Sequence, residues 1–431
     1  MGAYLSSPVT SKETFEGEGK CLRYGGCAMQ GWRRTMEDAH VANTAVGNDP
    51  DVACFAVLDG HGGSEVAKFC QKYIVNEISR CKEYQSGDVE ASLVRGFHRI
   101  DEMLRDSRHA DEIEAFKTRE SFDDDEDGPD GNSANTLDTL NMLKRVFQMR
   151  GTPAAAAASS ASAVAIRDGA EAGEGAAAGS ASRAAAGNKL GAGAPDEGNG
   201  TMVQAGCTAV VVLKVGDQLY CANAGDSRGV LARAGKAVAL SEDHKPAQEG
   251  ERARIISAGG FLSDIGGMCR VNGNLNLSRA IGDLKYKQNA DLPPEHQIIT
   301  AHPDIRRETL GADDKFVILA CDGVWDVMSN QDAVDFVGQR LDQGMSPTQA
   351  GCALLDACLA NDPKEARGVG CDNMTVVVVQ LQRPASSSGS AAAAPPRCPP
   401  SPLRHTVIHP SFAREAHSSV CRSGTHSGVS I

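Results

Sequence analysis

The sequence has no apolar run near the roughly 18 residues that a membrane-crossing helix requires, and its first residues carry neither the cationic nor the apolar region of a secretory signal. Its 14 cysteines are scattered from Cys21 to Cys421, with no CxxC pair and no finger spacing with histidine. That pattern excludes zinc fingers and disulfide scaffolds and predicts reduced thiols in the cytosol or nucleus. There is no excess of positive charge either: 43 Lys and Arg face 56 Asp and Glu, a net charge of -13. A general nucleic-acid binder needs a basic surface, so direct nucleic-acid contact is not expected. No GxxxxGK[ST] loop occurs, and "GVLARAGKA" has the wrong spacing and no hydroxyl after Lys236, which removes the nucleotide-binding reading.

What is present is ample apolar material, 41% of 431 residues, unevenly spread. Residues 105–200 turn first charged, then acidic in "SFDDDEDGPDG", then rich in Ala, Gly and Ser from Thr152 to Gly200 without one aromatic residue. Such composition does not bury enough surface to offset its ordering entropy, so a disordered insertion within a domain is expected. Residues 384–431, rich in Ser, Pro, Ala and His, read as a disordered tail, and residues 1–20 as an N-terminal arm. The folded domain is then expected over 21–383, interrupted by the insertion.

In the ordered blocks, "VACFAVL" reads as a strand, and Val66, Phe69, Cys70, Tyr73, Ile74 and Ile78 recur at helical spacing behind a candidate cap, Ser64. A second stripe runs through Leu93, Val94, Phe97, Ile100 and Leu104. "TAVVVLKVGDQLYCANAGDSRGVLARAGKAVAL" reads as consecutive antiparallel strands with Gly-containing turns at 215–217 and 234–236. "KFVILACDG" and "NMTVVVVQLQ" are further strands, with the helix "NQDAVDFVGQRL" between them. Strand runs and helix runs are segregated, which predicts an α+β fold. Inside the insertion, "DTLNMLKRVFQM" sets Leu140, Leu143 and Phe147 on one helical face, a stripe that suits docking on its own domain or on a protein partner.

One device recurs along the chain: an apolar run ends at an acidic residue beside glycine. It appears at Asp59 in "VLDGHGG", Asp226 in "CANAGDSRG", and Asp322 and Asp326 in "VILACDGVWD", while Asp372 in "GCDNMTVVVV" opens a strand. The adjacent pair Glu37 and Asp38 sits in "GWRRTMEDAH". A single such acid is ordinarily a turn residue. Gathered at one sheet edge, however, these carboxylates would repel strongly unless cations neutralised them. Oxygen-only ligands select hard ions such as Mg²⁺ or Mn²⁺, and the Gly60 position lets a backbone carbonyl approach one. Two ions about 3.5 to 4 Å apart activate a water and clamp an in-line phosphoryl displacement. Arg33 supplies a planar fork for phosphate, and His61 a proton for the departing alkoxide.

These segments, with "GCTAVVVLKVGDQLYCANAGDSR", "LSEDHKP", "RVNGNLNLSRAIGD" and "ACDGVWDVMSNQDAV", resemble in order the motif set of the metal-dependent serine/threonine protein phosphatases of the 2C type. "MGAYLSSP", "KYKQNADLPPEHQIITAHPDI" and an acidic insertion ahead of "GCTAV" further resemble the gamma subtype, although this insertion is shorter and richer in Ala and Gly. The resemblance implies two stacked antiparallel sheets flanked by helices, and hydrolysis of phosphoserine and phosphothreonine in protein substrates with Mg or Mn as cofactor. It implies that Asp59 bridges two ions, that Glu37 and the Gly60 carbonyl complete one, and that Asp322 and Asp372 complete the other. Asp38 would orient water, Arg33 hold the phosphate and His61 act as general acid. Asp226 and Asp326, with Asp322, match a weaker third metal site.

"MGAYLS" fits the N-myristoylation pattern at Gly2, which with a single chain and no basic cluster predicts only reversible membrane contact. A monomeric cytoplasmic enzyme, in part membrane-associated, is expected, with the nucleus as the alternative. Two other readings are a myristoylated scaffold that keeps its metal site, and a phosphatase of small metabolites. A Ca²⁺ loop at Asp123, Asp125, Asp127 and Gly128 is excluded by Pro129 and by Ala134 in place of the closing Glu.

Overall fold

The structure is a computed structural model and describes residues 4–117 and 203–382. The chain opens with strands β1 (Val9–Gly19), β2 (Leu22–Gly31), β3 (Ala39–Asn43) and β4 (Val52–His61), then helices α1 (Glu65–Arg80), α2 (Lys82–Gln85), α3 (Val89–Leu104) and α4 (Ala110–Ala115). After the insertion come β5 (Gly206–Val215), β6 (Gln218–Ala224), β7 (Arg228–Arg233), β8 (Lys236–Ala239) and α5 (Glu249–Ser257). A hairpin of β9 (Leu262–Ile265) and β10 (Met268–Val271), the short β11 (Ile281–Gly282), β12 (Asp304–Thr309) and β13 (Asp314–Ala320) follow. The turn α6 (Asp322–Trp325), helices α7 (Asn330–Asp342) and α8 (Pro347–Cys358), and strand β14 (Met374–Leu381) complete it.

Two six-stranded sheets result. One runs β1-β2-β14-β13-β7-β8, and the other β12-β6-β5-β4-β3 with β11 on the end of β5; every pairing between named strands is antiparallel. The alternation of side chains along a strand explains the layering. In β4, Ala53, Phe55 and Val57 join Val212 of their own sheet and Leu231, Val317, Leu319, Val377 and Val379 of the other in one core between the sheets. Cys54, Ala56 and Leu58 point the opposite way, onto Phe69, Ile74, Phe97 and Ile100 of α1 and α3. On the far side, Val376, Ile318 and Met29 pack against Val334 and Val337 of α7 and Leu354 and Leu355 of α8. Central strands covered on both faces have no polar face to show, which is why β4, β5 and β14 read as nearly unbroken apolar runs. Each buried Phe, Leu or Val contributes about 1.5–3 kcal/mol, so these three cores hold the layers together.

The expected α+β sandwich is therefore observed, and three expectations are corrected. Residues 9–19 are not an arm but β1, an edge strand on β2. Its polar sequence leaves most of it exposed, with Phe15 stacked on His40 at 3.7 Å between ring centres. Residues 105–117 belong to the folded layer: α4 seals the end of α1, burying Ile113. Ser64 occupies the N-cap position of α1 without a side-chain cap bond, and its hydroxyl donates to the Phe116 carbonyl at 2.8 Å. The strands from 206 to 239 are antiparallel as expected and form two hairpins, because the chain crosses from one sheet to the other between β6 and β7. Gly2, the 138–149 stripe and the tail lie outside the described residues. Among the described residues, no helix is long and apolar enough to cross a membrane.

Candidate metal and phosphate site

The crossing point between β6 and β7 is where the chemistry collects. Asp59 follows Leu58, so strand parity turns it toward the space between the sheets, opposite Thr208 in the β4–β5 register. Asp226 lies in the crossover itself, Asp322 at the exit of β13, and Asp372 just ahead of β14. Arg33, Glu37, Asp59, Gly60, His61, Asp226, Asp322 and Asp372 all line one cavity of about 170 Å³. A larger cavity of about 420 Å³, beside Phe15, His40 and Lys72, has no carboxylate in its wall. The chemistry therefore assigns function to the smaller one.

Mutual repulsion marks the site electrostatically. Burial first, then the charges of Asp322, Asp38, Asp372 and Asp226, push the Asp59 carboxyl well above the ordinary range. Burial and the charges of Asp226, Asp372 and Asp326 do the same to Asp322. Asp372 is raised by burial although Arg33 opposes the shift, and Arg33 holds it through a guanidinium–carboxylate contact. Asp38 lies behind the cavity wall, 8% exposed, accepting from the Thr375 hydroxyl at 2.7 Å, and burial pushes it up to about 7. Asp326 sits outside the cavity at the end of α6, raised chiefly by burial.

Two donor sets converge, each with one ligand atom per residue within 4.8 Å of the others: Asp59 with Asp226 and Asp322, and Asp59 with Asp38 and Cys321. Burial pushes the Cys321 thiol far up, which keeps it protonated and a poor ligand. The remaining donors are all hard oxygens, and their crowding is what a divalent ion relieves. The residues present therefore fit Mg²⁺ or Mn²⁺. Gly60 is needed for packing: a Cβ there would stand 2.4 Å from the Glu37 carbonyl, so only glycine lets β4 and the Glu37 loop close.

Glu37 is itself well held. Its carboxylate accepts from the Thr35 hydroxyl at 3.0 Å and from the Gly63 amide at 3.2 Å.

Family models and relatives point the same way. The protein phosphatase 2C model matches residues 22–121 and 176–366. "Probable protein phosphatase 2C 11" of Oryza sativa is 40% identical over 91% of this chain and 94% of its own length.

The chain belongs to the protein phosphatase 2C family.

A Paramecium tetraurelia relative, "Probable protein phosphatase 2C 6", is 38% identical over 89% of this chain and 100% of its own. A Toxoplasma gondii phosphatase crystal structure superposes with a TM-score of 0.55 at 20% identity, covering 86% of this chain and 96% of that one, which shows the shared fold. Like its family, this 2C phosphatase is a metal-dependent serine/threonine protein phosphatase.

Three residues of the phosphatase site escape sequence reasoning. Asn373 accepts from the Glu37 amide at 3.0 Å and donates to the carbonyls of Gln30 and Thr35 at 2.8 and 2.9 Å, stapling the Glu37 loop to β14. Lys245 pairs with Asp226 at 2.5 Å. Asp283 pairs with His61 at 2.7 Å. Burial alone would lower the His61 imidazole, but the charge and hydrogen bond of Asp283 outweigh it and hold its pKa above the ordinary value. All three lie inside segments that resemble the family, yet a lone Asn, Lys or Asp carries no spacing signal of its own.

The Asn373 staple gives a direct test. Asn373→Ala removes three hydrogen bonds at once, which costs about 2 kcal/mol of stability and weakens metal affinity by about tenfold or more. Thermal melts and metal titration of activity measure the two effects separately.

Proposed function

We propose that this phosphatase works with two Mg²⁺ or Mn²⁺ ions, held by Asp59 between them, by Glu37 and the Gly60 carbonyl on one side, and by Asp322 and Asp372 on the other. The observation that carries this reading is the crowding of buried carboxylates around Asp59, whose charges are tolerable together only beside cations. Bound there, the ions supply a water acidified enough to attack phosphorus at neutral pH. Asp38, held from behind the cavity wall by the Thr375 hydroxyl, would orient that water. Arg33, half exposed at the rim, meets the incoming phosphate with a planar pair of donors. His61 donates the proton that the departing serine or threonine oxygen requires. Asp226 and Asp326, with Asp322, support a weaker third ion, for which Lys245 on Asp226 is a built-in competitor.

Within the family, the segment from Lys285 to Ile305 and the acidic insertion support a place near the gamma subtype. Phosphoproteins are the substrates, the monomer is the working unit, and a cytoplasmic enzyme touching membranes reversibly through acylated Gly2 is the location we favour over the nucleus. The insertion, with its Leu140, Leu143 and Phe147 stripe, is the segment suited to a protein partner.

The test of the metal reading is hydrolysis of a phosphothreonine peptide by the full chain. EDTA should abolish turnover, and Mn²⁺ or Mg²⁺ should restore it, with a rate that depends on metal concentration through two sites. Turnover that survives EDTA would overturn it.

A further inference from the structure

We propose that Asp283 is the positioning residue for the general acid, fixing which nitrogen of His61 faces the substrate. The proposal rests on the acid role given to His61 above. Asp283 is 1% exposed, and its Oδ2 lies 2.7 Å from Nε2 of His61. A buried carboxylate holds a histidine by accepting a hydrogen bond from one ring N–H, which dictates the tautomer and leaves the other nitrogen for chemistry. Here Nε2–H is committed to Asp283, so the proton that moves is the one on Nδ1. In the step it serves, water attacks phosphorus and gives up a proton to solvent, and the P–O ester bond breaks with its electron pair on the ester oxygen. That oxygen takes the Nδ1 proton, phosphate and the free hydroxyl side chain depart, and solvent returns a proton to the ring.

The surroundings are built around this pair. Asp283 adopts a left-handed backbone at φ 49°, a conformation open to Asp and Asn but strained for most residues. Its amide donates to the Ala205 carbonyl at 3.0 Å. The preceding Gly282 amide donates to Asp101 of α3 at 2.7 Å, and the buried Lys287 binds the same Asp101 at 2.5 Å and the Ala280 carbonyl at 2.7 Å. The segment is thus braced from behind, against α3. Beneath the pair lies Gly206, where an added Cβ would stand 2.3 Å from Asp283 Oδ2 and 2.4 Å from His61 Nε2. Glycine is required there for the contact to exist.

The experiment compares two leaving groups. A threonine alkoxide needs a proton as it leaves, whereas the phenolate of p-nitrophenyl phosphate departs largely without one. With Mn²⁺ saturating, Asp283→Asn in the full chain should lower kcat on a phosphothreonine peptide about 30- to 100-fold, while kcat on p-nitrophenyl phosphate falls less than about threefold. Asn preserves the left-handed backbone. Gly206→Ala, which wedges the pair without touching either side chain's chemistry, should show the same selective loss. The double variant His61→Asn with Asp283→Asn should be no worse than His61→Asn alone, because the two act as one unit. Equal loss on both substrates from a folded Asp283→Asn protein, or additive losses in the double variant, would overturn the proposal while leaving the acid role of His61 standing. If His61→Asn itself fails to discriminate between the leaving groups, the acid reading falls first, and the positioning role with it.

Discussion

Asp59→Asn should abolish turnover while making the metal-free protein more stable. In the arrangement proposed above Asp59 would be the ligand common to both ions, and losing several kcal/mol of transition-state stabilisation at about 1.4 kcal/mol per decade lowers kcat/KM by at least about 10³-fold. Stability moves the other way for an electrostatic reason. Asp59, Asp322 and Asp38 all have folded pKa values above their ordinary 3.8. Between roughly pH 4 and 7 the native state then binds more protons than the unfolded chain, so stability without metal rises as pH falls through that window and declines as it rises. Replacing Asp59 removes one of the groups responsible. In EDTA near pH 7.5 the variant should melt above the wild type, and the gap should close toward pH 5. With Mn²⁺ the order should reverse, since only the wild type gains the binding free energy of both ions. A variant that melts below the wild type in EDTA would show that Asp59 is not held against repulsion.

Glu251→Ala should be the most damaging change away from the site. Its carboxylate receives Arg254 at 2.7 Å, two bonds from Arg279 at 2.8 and 3.0 Å, and the Ser278 hydroxyl at 2.6 Å, all with Glu251 5% exposed. Burial by itself would raise Glu251, but Arg279 and Arg254 hold it down to about 2. Truncation leaves Arg254 with only carbonyl partners and Arg279 with Asp304 as its one remaining carboxylate, a loss of about 3 kcal/mol. For a fold of this size that lowers Tm by about 5 °C. The same network carries Ser278 and Arg279 into the stretch that ends at Asp283, so catalytic loss at assay temperature should track unfolding. Activity per folded molecule, measured at low temperature, should fall much less.

How far the sequence reaches depends on whether a signal is local. The acids at strand ends were legible because strand and terminator are adjacent in the chain: "FAVLDG" states both the rigid element and the group it presents. The α1 and α3 stripes were legible for the same reason, as periodicity is local. Sheet partners were not, because β2 pairs with β14 across most of the chain, and nothing in either strand names the other. β1 was missed since "VTSKETFEGEG" is an edge strand whose exposed side chains leave no apolar face to read. Asn373, Lys245 and Asp283 act through partners 336, 19 and 222 residues away. A lone polar residue becomes informative only once the fold has chosen its neighbour.

The interleaving of the two sheets has a topological consequence. Sheet β1-β2-β14-β13-β7-β8 and sheet β12-β6-β5-β4-β3 each draw strands from before and after the insertion. The first segment contributes Glu37 and Asp59, the second Asp322 and Asp372, and β4 lies hydrogen-bonded along the whole of β5. The polypeptide is thus woven rather than stacked: neither length, expressed by itself, owns a complete sheet or a complete set of donors. The insertion joins the two lengths in the covalent chain, but β-ladders already hold them together, so its composition and size are free to drift without loosening the weave.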